Sequence, residues 1–337
     1  MGNQNGDLGN SDNRDSSAKR QVSRRGLITA ATETVLVGAL AGAGIAHAEP
    51  AEKARQLAAR FTGKTALITG GARGQGRAHA VRLAREGANI VLCDILEQIG
   101  TITYPMATQA DMDETVKLVQ AEGAHCLALK ADVRDSKAVN TVVDRALHEL
   151  GKVDILLANA GILGGVALTE ITDQAFDDMV RTNLYGVFNF IRAVIPSMAT
   201  RNYGRIVATS SQAGRMGMAD LAHYAASKWG VIGLVKSAAL EVADKGITIN
   251  AVCPTAVNTP MGSYPAAWKR ALPNDPAPTR EKFEANARAH PFLPQGVPWV
   301  EPDEVSDAVL FLASDQARHI TGSVVDIQAG AAAKNIA

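Results

Sequence analysis

The chain lacks the features of disulfide-rich, metal-binding and nucleic-acid-binding proteins. Its three cysteines, Cys93, Cys126 and Cys253, are too few and too widely spaced for a disulfide framework or a Cys-x-x-Cys site. The seven histidines show no metal-binding spacing such as His-Glu-x-x-His, so we predict no metal site. The 34 basic residues are balanced by 34 acidic ones, and this neutral charge argues against a nucleic-acid partner.

The first 48 residues differ in composition from the rest of the chain. Residues 1–22 are polar and nearly free of large apolar side chains, which predicts a disordered tail. Arg24 and Arg25 then precede a weakly apolar stretch that ends in Ala46-His47-Ala48, the order of a twin-arginine export signal. Glu33 and several glycines make this stretch a poor membrane span. We expect a disordered tail plus signal over 1–48, a linker over 49–62, and a protein exported or held in the cell envelope. A cytoplasmic protein that keeps its tail, or a membrane-tethered enzyme, is the alternative.

From residue 63 onward, short apolar or β-branched runs alternate with helical segments. Helices are predicted over 75–86, closed by Gly87, over 136–150, capped by Ser136 and closed by Gly151, and over 303–313. This alternation predicts a doubly wound parallel α/β sheet of seven strands, in one domain over 63–332. The predicted strands cover 64–69, 89–94, 125–130, 153–159, 205–210, 247–253 and 323–328.

A glycine-rich turn follows the first predicted strand and opens a helix. Glycines let the backbone approach a ligand closely, and a helix N-terminus offers free N–H groups to a pyrophosphate. Asp94 ends the second strand, where a carboxylate can accept hydrogen bonds from the adenosine ribose and would repel a 2′-phosphate. Arg73 could favour that phosphate, but Asp94 should lie directly at the ribose, so we predict NAD rather than NADP. The candidate residues of the turn are Gly70, Arg73, Gly74, Gln75 and Gly76.

A tyrosine and a lysine four residues apart form the candidate catalytic pair. Tyr224 and Lys228 should share one face of a helix, and an ammonium near a phenol is expected to lower the pKa of the phenol. Ser211, thirteen residues upstream at a strand end, can donate a hydrogen bond to a substrate oxygen. Asn183 can hold a water molecule within its helix.

These residues, in this order and spacing, resemble the short-chain dehydrogenase/reductase family over about residues 62–332. The resemblance implies a tetrad in which Tyr224 is the general acid and base, Ser211 orients the substrate, Lys228 also holds the nicotinamide ribose, and Asn183 supports a proton relay. Hydride would pass between the nicotinamide and a small secondary alcohol or ketone. The resemblance also implies a dimer or tetramer. The further cofactor-binding residues that it implies are Asp132, Val133, Asn159, Ala160, Gly161, Tyr224 and Lys228.

The chain departs from the general family pattern after the sixth and second predicted strands. Thr255 follows Pro254 where many members have glycine, and beyond it the Val257 backbone and the Thr259 hydroxyl are candidates to bind the carboxamide. Residues 95–110 form an apparent insertion that could cover the cofactor, and a harmless surface insertion is the alternative. Residues 262–299 are a candidate substrate lid whose aromatic residues suggest an apolar pocket.

With the export signal, these features resemble the mycofactocin-associated, carveol dehydrogenase-like subgroup. That resemblance implies a tightly bound NAD that is reoxidised by mycofactocin. A non-catalytic NAD-binding redox sensor and an NADP-dependent ketoreductase are the alternative functions.

Overall fold

The structure, a computed structural model, describes residues 59–289 and 293–334. All of the described residues belong to one compact unit. The predicted tail and export signal (1–48) and residues 49–58 of the predicted linker lie outside the described residues. The same holds for residues 290–292 of the predicted lid and for residues 335–337.

One parallel sheet of seven strands organises the domain, as the sequence predicts. The strand order is β3-β2-β1-β4-β5-β6-β7, so the chain reverses its winding direction between β1 and β4. Ligands of such sheets bind at the carboxyl ends of the strands beside this reversal. The strands are β1 (Thr65–Thr69), β2 (Asn89–Asp94), β3 (Cys126–Lys130), β4 (Ile155–Ala158), β5 (Gly204–Thr209), β6 (Ile247–Pro254) and β7 (Val324–Ile327).

Helices cover both faces of the sheet. They are α1 (Gly74–Arg85), α2 (Gln109–Ala121), α3 (Ser136–Leu150), α4 (Asp173–Val180), α5 (Gly186–Thr200), α6 (Ala222–Val242), α7 (Pro265–Ala271), α8 (Arg280–Ala289) and α9 (Pro302–Ala313). A π-helical turn, Arg181–Tyr185, joins α4 to α5. Among the described helices, none has the length and apolar character needed to cross a membrane.

Local chemistry sets the helix ends and corrects one prediction. Ser136 does not cap α3; the cap is Asp135, whose side chain accepts a hydrogen bond from the Lys137 N–H. Either residue type can cap, but the carboxylate is one position earlier and reaches the open N–H group first. Gly151 ends the same helix as predicted, in the left-handed conformation with a φ of +76°.

Two apolar layers, one on each face of the sheet, form the core. One layer joins the strands to α3, α5 and α6, and the other joins them to α1, α2 and α9. Phe61 is 1% exposed and packs in the second layer. The folded domain therefore begins before residue 63, because burying this phenyl ring removes residues 61 and 62 from the predicted linker.

The predicted insertion is a loop that ends two residues earlier than expected. Thr108 caps α2 by a reciprocal capping box with Asp111, so Gln109 and Ala110 already belong to the helix. The remaining loop, residues 95–108, is called the cover segment below. The predicted lid contains α7 and α8, and its Tyr264 and Trp299 are buried.

Candidate active site

The glycine-rich turn packs tightly against the loop that follows β4. Gly70 and Gly74 have φ values of +66° and +59°, which favour glycine at both positions. A Cβ on Gly70 would lie 2.9 Å from the Cα of Ala160, and one on Gly76 would overlap the carbonyl oxygen of Gly70. Helix α1 starts at Gly74 with no side-chain cap and no acidic residue in its first turn. Its first N–H groups therefore suit an anion such as a pyrophosphate.

Asp94 links the end of β2 to this turn. Its carboxylate is buried and accepts a hydrogen bond from the Ala72 N–H at 3.1 Å. Burial raises the pKa of Asp94, while its backbone hydrogen bonds oppose that shift. The guanidinium of Arg73 donates to the carbonyl oxygen of Pro105 in the cover segment. Arg73 thus binds protein backbone, which reduces its weight as a cue for a 2′-phosphate.

The residues predicted after β3 and β4 hold the strand ends together. Asn159 donates from its amide to the Thr69 carbonyl at 3.0 Å, and the Ala160 N–H donates to the Thr69 hydroxyl at 2.9 Å. Asp132 forms an ion pair with Arg134 at 2.7 Å. A Cβ on Gly161 would lie 3.2 Å from Asn183 Oδ1 and 3.4 Å from Lys228 Nζ, so a side chain at this position would crowd both.

Tyr224 and Lys228 occupy the first two turns of α6 and both line the cavity described below, together with Ser211 at the end of β5. The Ser211 side chain lies close enough to the Tyr224 phenol to act against the rise in its pKa. The Ser211 hydroxyl accepts from the Ala213 N–H at 3.1 Å, which holds the serine in place. Lys228 Nζ donates to the Thr209 carbonyl at 2.8 Å.

The prediction that Lys228 lowers the pKa of Tyr224 is wrong for this structure. The pKa of Tyr224 is raised, chiefly by burial, and the nearby Ser211 side chain opposes that shift. Lys228 Nζ lies 5.7 Å from the centre of the Tyr224 ring and is directed to the Thr209 carbonyl, and burial lowers its own pKa to about 8. Burial therefore determines the direction of both pKa shifts.

Asn183 lies in the π-helical turn and is completely buried. Its side chain accepts from the Ile162 N–H at 2.7 Å and donates to the Ile162 carbonyl at 2.9 Å. It also donates to Ser227 Oγ at 3.2 Å, next to the candidate catalytic residue Lys228 in α6. Asn183 does not line the cavity, so in this structure it positions the loop after β4.

The chain after β6 returns to the glycine-rich turn. Thr255 is accommodated because its hydroxyl donates to Gln212 Oε1 at 2.8 Å and its N–H donates to the Ile327 carbonyl. The methyl group of Thr259 would lie 3.4 Å from a Cβ on Gly74, which places this loop beside the start of α1. Both Val257 and Thr259 line the cavity.

The cover segment closes over the centre of the site. Ile99, Ile102 and Tyr104 are buried in one apolar cluster with Ile162 and with Tyr264 of the lid. The Tyr104 hydroxyl accepts from the Leu163 N–H at 3.3 Å, and its ring centre is 5.2 Å from that of Tyr264. Gln98 supports the segment from within by donating to the Ile102 carbonyl at 2.8 Å and accepting from the Met106 N–H at 3.0 Å.

These elements enclose a cavity of about 650 Å³ at the carboxyl ends of the strands. Every predicted site residue lines it except Gly76 and Asn183. The turn in which Gly70 and Gly76 leave no room for a side chain, the buried carboxylate of Asp94 and the cavity volume all fit a dinucleotide at this position. The sequence missed several lining residues, because no motif marks them: Ile95, Ile99, Met106, Gln212, Arg270 and Asn286.

Comparisons with known proteins agree on the family. The family described as short chain dehydrogenase matches residues 64–270. The (-)-trans-carveol dehydrogenase of Rhodococcus erythropolis is 43% identical over 278 residues, which cover 82% of this chain and 100% of that protein.

Two solved structures are similar in both sequence and fold. Carveol dehydrogenase from Mycobacterium avium, in complex with NAD, is 40% identical with a TM-score of 0.78, over 81% of this chain and 99% of that one. A short chain dehydrogenase from Mycobacterium paratuberculosis, bound to NAD, is 37% identical with a TM-score of 0.73, over 81% and 98%.

Proposed function

Since this chain belongs to the short-chain dehydrogenase family, we propose that it is an NAD-dependent oxidoreductase that interconverts a small secondary alcohol and its ketone. The observation that carries this proposal is that Ser211, Tyr224 and Lys228 all line one cavity beside the glycine-rich turn. A protein that only binds a nucleotide has no need for a phenol, a hydroxyl and an ammonium in the wall of one cavity. The relatives with carveol dehydrogenase activity in their names support the same reaction class.

The protein's own residues supply the proton and the orientation of the substrate. Ser211 donates a hydrogen bond to the substrate oxygen, and Tyr224 gives that oxygen a proton in reduction or removes one in oxidation. NAD, when bound, supplies the hydride acceptor or, once reduced, the hydride donor. Lys228 donates a hydrogen bond to the Thr209 carbonyl at the end of β5, and Asn183 holds the loop after β4 through Ile162. The water relay through Asn183 stays a prediction.

Asp94 supports NAD over NADP. Its buried carboxylate stands at the end of β2 and would repel a 2′-phosphate, while Arg73 is engaged by the Pro105 carbonyl. The two NAD-bound relatives agree with this choice. A tighter Kd for NADP than for NAD would instead favour an NADP-dependent ketoreductase.

The cover segment supports a retained cofactor, with mycofactocin as the acceptor that reoxidises it. Tyr104 and Tyr264 join the cover segment to the lid directly above the cavity, so release of a dinucleotide requires this cluster to open. The apolar lining by residues such as Leu221, Ile162 and Leu293 suits a carveol-like alcohol. Purified protein should carry bound NAD(H) and turn over slowly with added NAD unless an artificial acceptor is supplied.

Export through the twin-arginine route is consistent with a folded enzyme that keeps its cofactor. The paired Arg24 and Arg25 before an apolar stretch support it. N-terminal sequencing of protein from the native host tests it: a start near Glu49 agrees with export, and an intact Met1 in the cytoplasm contradicts it.

Homo-oligomerisation is supported by large apolar side chains exposed on α4, α6 and the π-helical turn. Phe176, Tyr185, Trp229 and Leu240 are between 40% and 83% exposed. Such surfaces commonly bind a second subunit. Light scattering should give a mass of at least a dimer, and a Trp229→Glu substitution should lower it.

Substitution of Tyr224 by phenylalanine tests the catalytic proposal. The change removes one hydroxyl, so turnover of a cyclic secondary alcohol should fall at least about 100-fold, the effect expected of a general acid–base group. NAD should remain bound. Tyr203→Phe is the matched control, because Tyr203 bonds Asp315 at 3.0 Å and does not line the cavity. Unchanged turnover in the Tyr224 variant would refute the mechanism, and NAD binding without any turnover in the wild type would favour a redox sensor.

A further inference from the structure

The lid side of the cavity is apolar except for two polar side chains. Arg270 reaches it from α7 and Asn286 from α8, among residues such as Phe283, Ala287 and Leu293. The acidic residues that line the cavity within the described chain, Asp94 and Asp132, follow β2 and β3 and belong to the cofactor side. No carboxylate of this cavity wall therefore neutralises Arg270.

Arg270 differs from the other cations around it. Of the three cations that line the cavity, Arg73 bonds the Pro105 carbonyl and Lys228 bonds the Thr209 carbonyl. Arg270 has no hydrogen bond or ion pair with any residue that the structure describes. Its neighbours in α7 and α8 all have partners: Lys269 bonds the Asp275 carbonyl, Lys282 pairs with Asp275, and Arg280 and Arg288 pair with Glu284. The one unpaired cation of this part of the lid is also the one that faces the cavity.

Arg270 is an exposed residue of the cavity lining, and its guanidinium lies over the loop that follows β4. Its Cζ atom would lie 3.1 Å from a Cβ on Gly165, so the planar group rests against the glycine backbone. Asn286 is half-buried and also has no hydrogen-bond partner among the described residues. An unpaired guanidinium and an unpaired amide thus line the same wall from two helices.

We propose that Arg270, assisted by Asn286, is a carboxylate-binding subsite for the substrate. This inference rests on the proposed alcohol dehydrogenase function but changes its substrate class, from a wholly apolar carveol-like alcohol to a secondary alcohol or ketone that also carries a carboxylate remote from the reacting carbon. A guanidinium binds a carboxylate through two parallel N–H groups, and an amide N–H can add a third hydrogen bond. The apolar walls between this subsite and Tyr224 would hold the hydrocarbon frame of the substrate.

The test compares three alcohols of one shape on the NAD-loaded enzyme with an artificial acceptor. They are 3-hydroxycyclohexane carboxylate, its neutral carboxamide and 3-methylcyclohexanol. Arg270→Gln should lower kcat/KM for the carboxylate by about fivefold, the upper value expected of an exposed ion pair, and leave kcat/KM for 3-methylcyclohexanol within about twofold. Arg270→Lys should fall between wild type and Arg270→Gln. Lys269 is the adjacent cation and does not line the cavity, so Lys269→Gln should leave kcat/KM unchanged for the carboxylate and for 3-methylcyclohexanol.

Two results would overturn the subsite: an equal loss for all three alcohols in Arg270→Gln, or a wild-type enzyme that uses 3-methylcyclohexanol at least tenfold better than the carboxylate. Binding of the carboxylate to the NAD-loaded Tyr224→Phe protein, followed by NMR line broadening, separates this inference from the proposed reaction. If the wild-type enzyme turns over none of the alcohols but Arg270→Gln still weakens binding of the carboxylate, the subsite is supported and the dehydrogenase function is contradicted. Turnover of 3-methylcyclohexanol with no effect of Arg270→Gln on the carboxylate supports the dehydrogenase and refutes the subsite.

Discussion

Replacement of Tyr104 should convert a retained cofactor into an exchanging one. Tyr104 is 3% exposed, accepts from the Leu163 N–H and packs against Tyr264, so it joins the cover segment to two other parts of the site. Tyr104→Phe removes only the hydroxyl, whose hydrogen bond contributes about 1 kcal/mol and therefore about fivefold in the opening equilibrium. Tyr104→Ala removes the ring as well.

The size of the effect of Tyr104→Ala follows from burial. Truncating a buried aromatic side chain costs about 3–5 kcal/mol. Some of these contacts lie within the cover segment and survive its opening, so we assign about 2 kcal/mol to the contacts that opening breaks. The release of NAD should then be about 30-fold faster than in the wild type.

Release can be measured by diluting NAD-loaded protein into a scavenger that consumes free nucleotide. Tyr203→Ala is the control, since it removes a partly buried tyrosine that bonds Asp315 and does not line the cavity. If Tyr104→Ala and wild type release NAD at the same rate, the cover segment does not gate the cofactor. Equal acceleration by Tyr203→Ala would show that general destabilisation, and not loss of the cover, frees the nucleotide.

Three further outcomes follow from burial and close packing. Burial raises the pKa of Tyr224, so the phenol is protonated near neutrality; alcohol oxidation should speed up as pH rises above 7, and a flat rate up to pH 10 would contradict this. Burial lowers the pKa of His79 to about 3, so below pH 6.5 the unfolded chain binds a proton that the folded chain does not. The free energy of unfolding should therefore lose about 2–3 kcal/mol from this group between pH 6 and 4, and urea titrations of His79→Gln should lack that loss. Gly76→Ala should abolish NAD binding or folding because its Cβ would overlap Gly70, whereas Gly100→Ala, with open space around it, should bind NAD normally in calorimetry.

Most of the fold follows from features that are local in the sequence. The family and the seven-stranded parallel sheet are confirmed, and the predicted strands match the observed ones to within two residues at each end. Apolar runs bounded by glycine are typical of buried parallel strands, and Gly151 stops its helix for a conformational reason readable from one residue. The error at the start of α3 arose because two adjacent residues, Asp135 and Ser136, could both cap. The predicted insertion was two residues too long because Thr108 already caps the next helix.

Features that depend on tertiary contacts could not be predicted from the sequence. The pKa of Tyr224 moves opposite to expectation because burial, unlike i,i+4 spacing, is a property of the folded chain. Arg73 finds its partner at Pro105, 32 residues away, in a loop without a recognisable pattern. Arg270 was missed for a related reason. It matters because it lines the cavity without a hydrogen-bond or ion-pair partner in the described chain, and the sequence alone does not show which side chains lack a partner.

The contact between Tyr104 and Tyr264 has a consequence for engineering this enzyme. One ring belongs to the cover segment, which we propose lies over the nucleotide, and the other to the lid that we propose admits the substrate. Libraries that enlarge the substrate entrance by truncating Tyr264 should also speed the release of NAD. Selections for bulkier alcohols should therefore accumulate variants that lose their cofactor. A broader substrate range and retention of NAD must therefore be selected together in this enzyme.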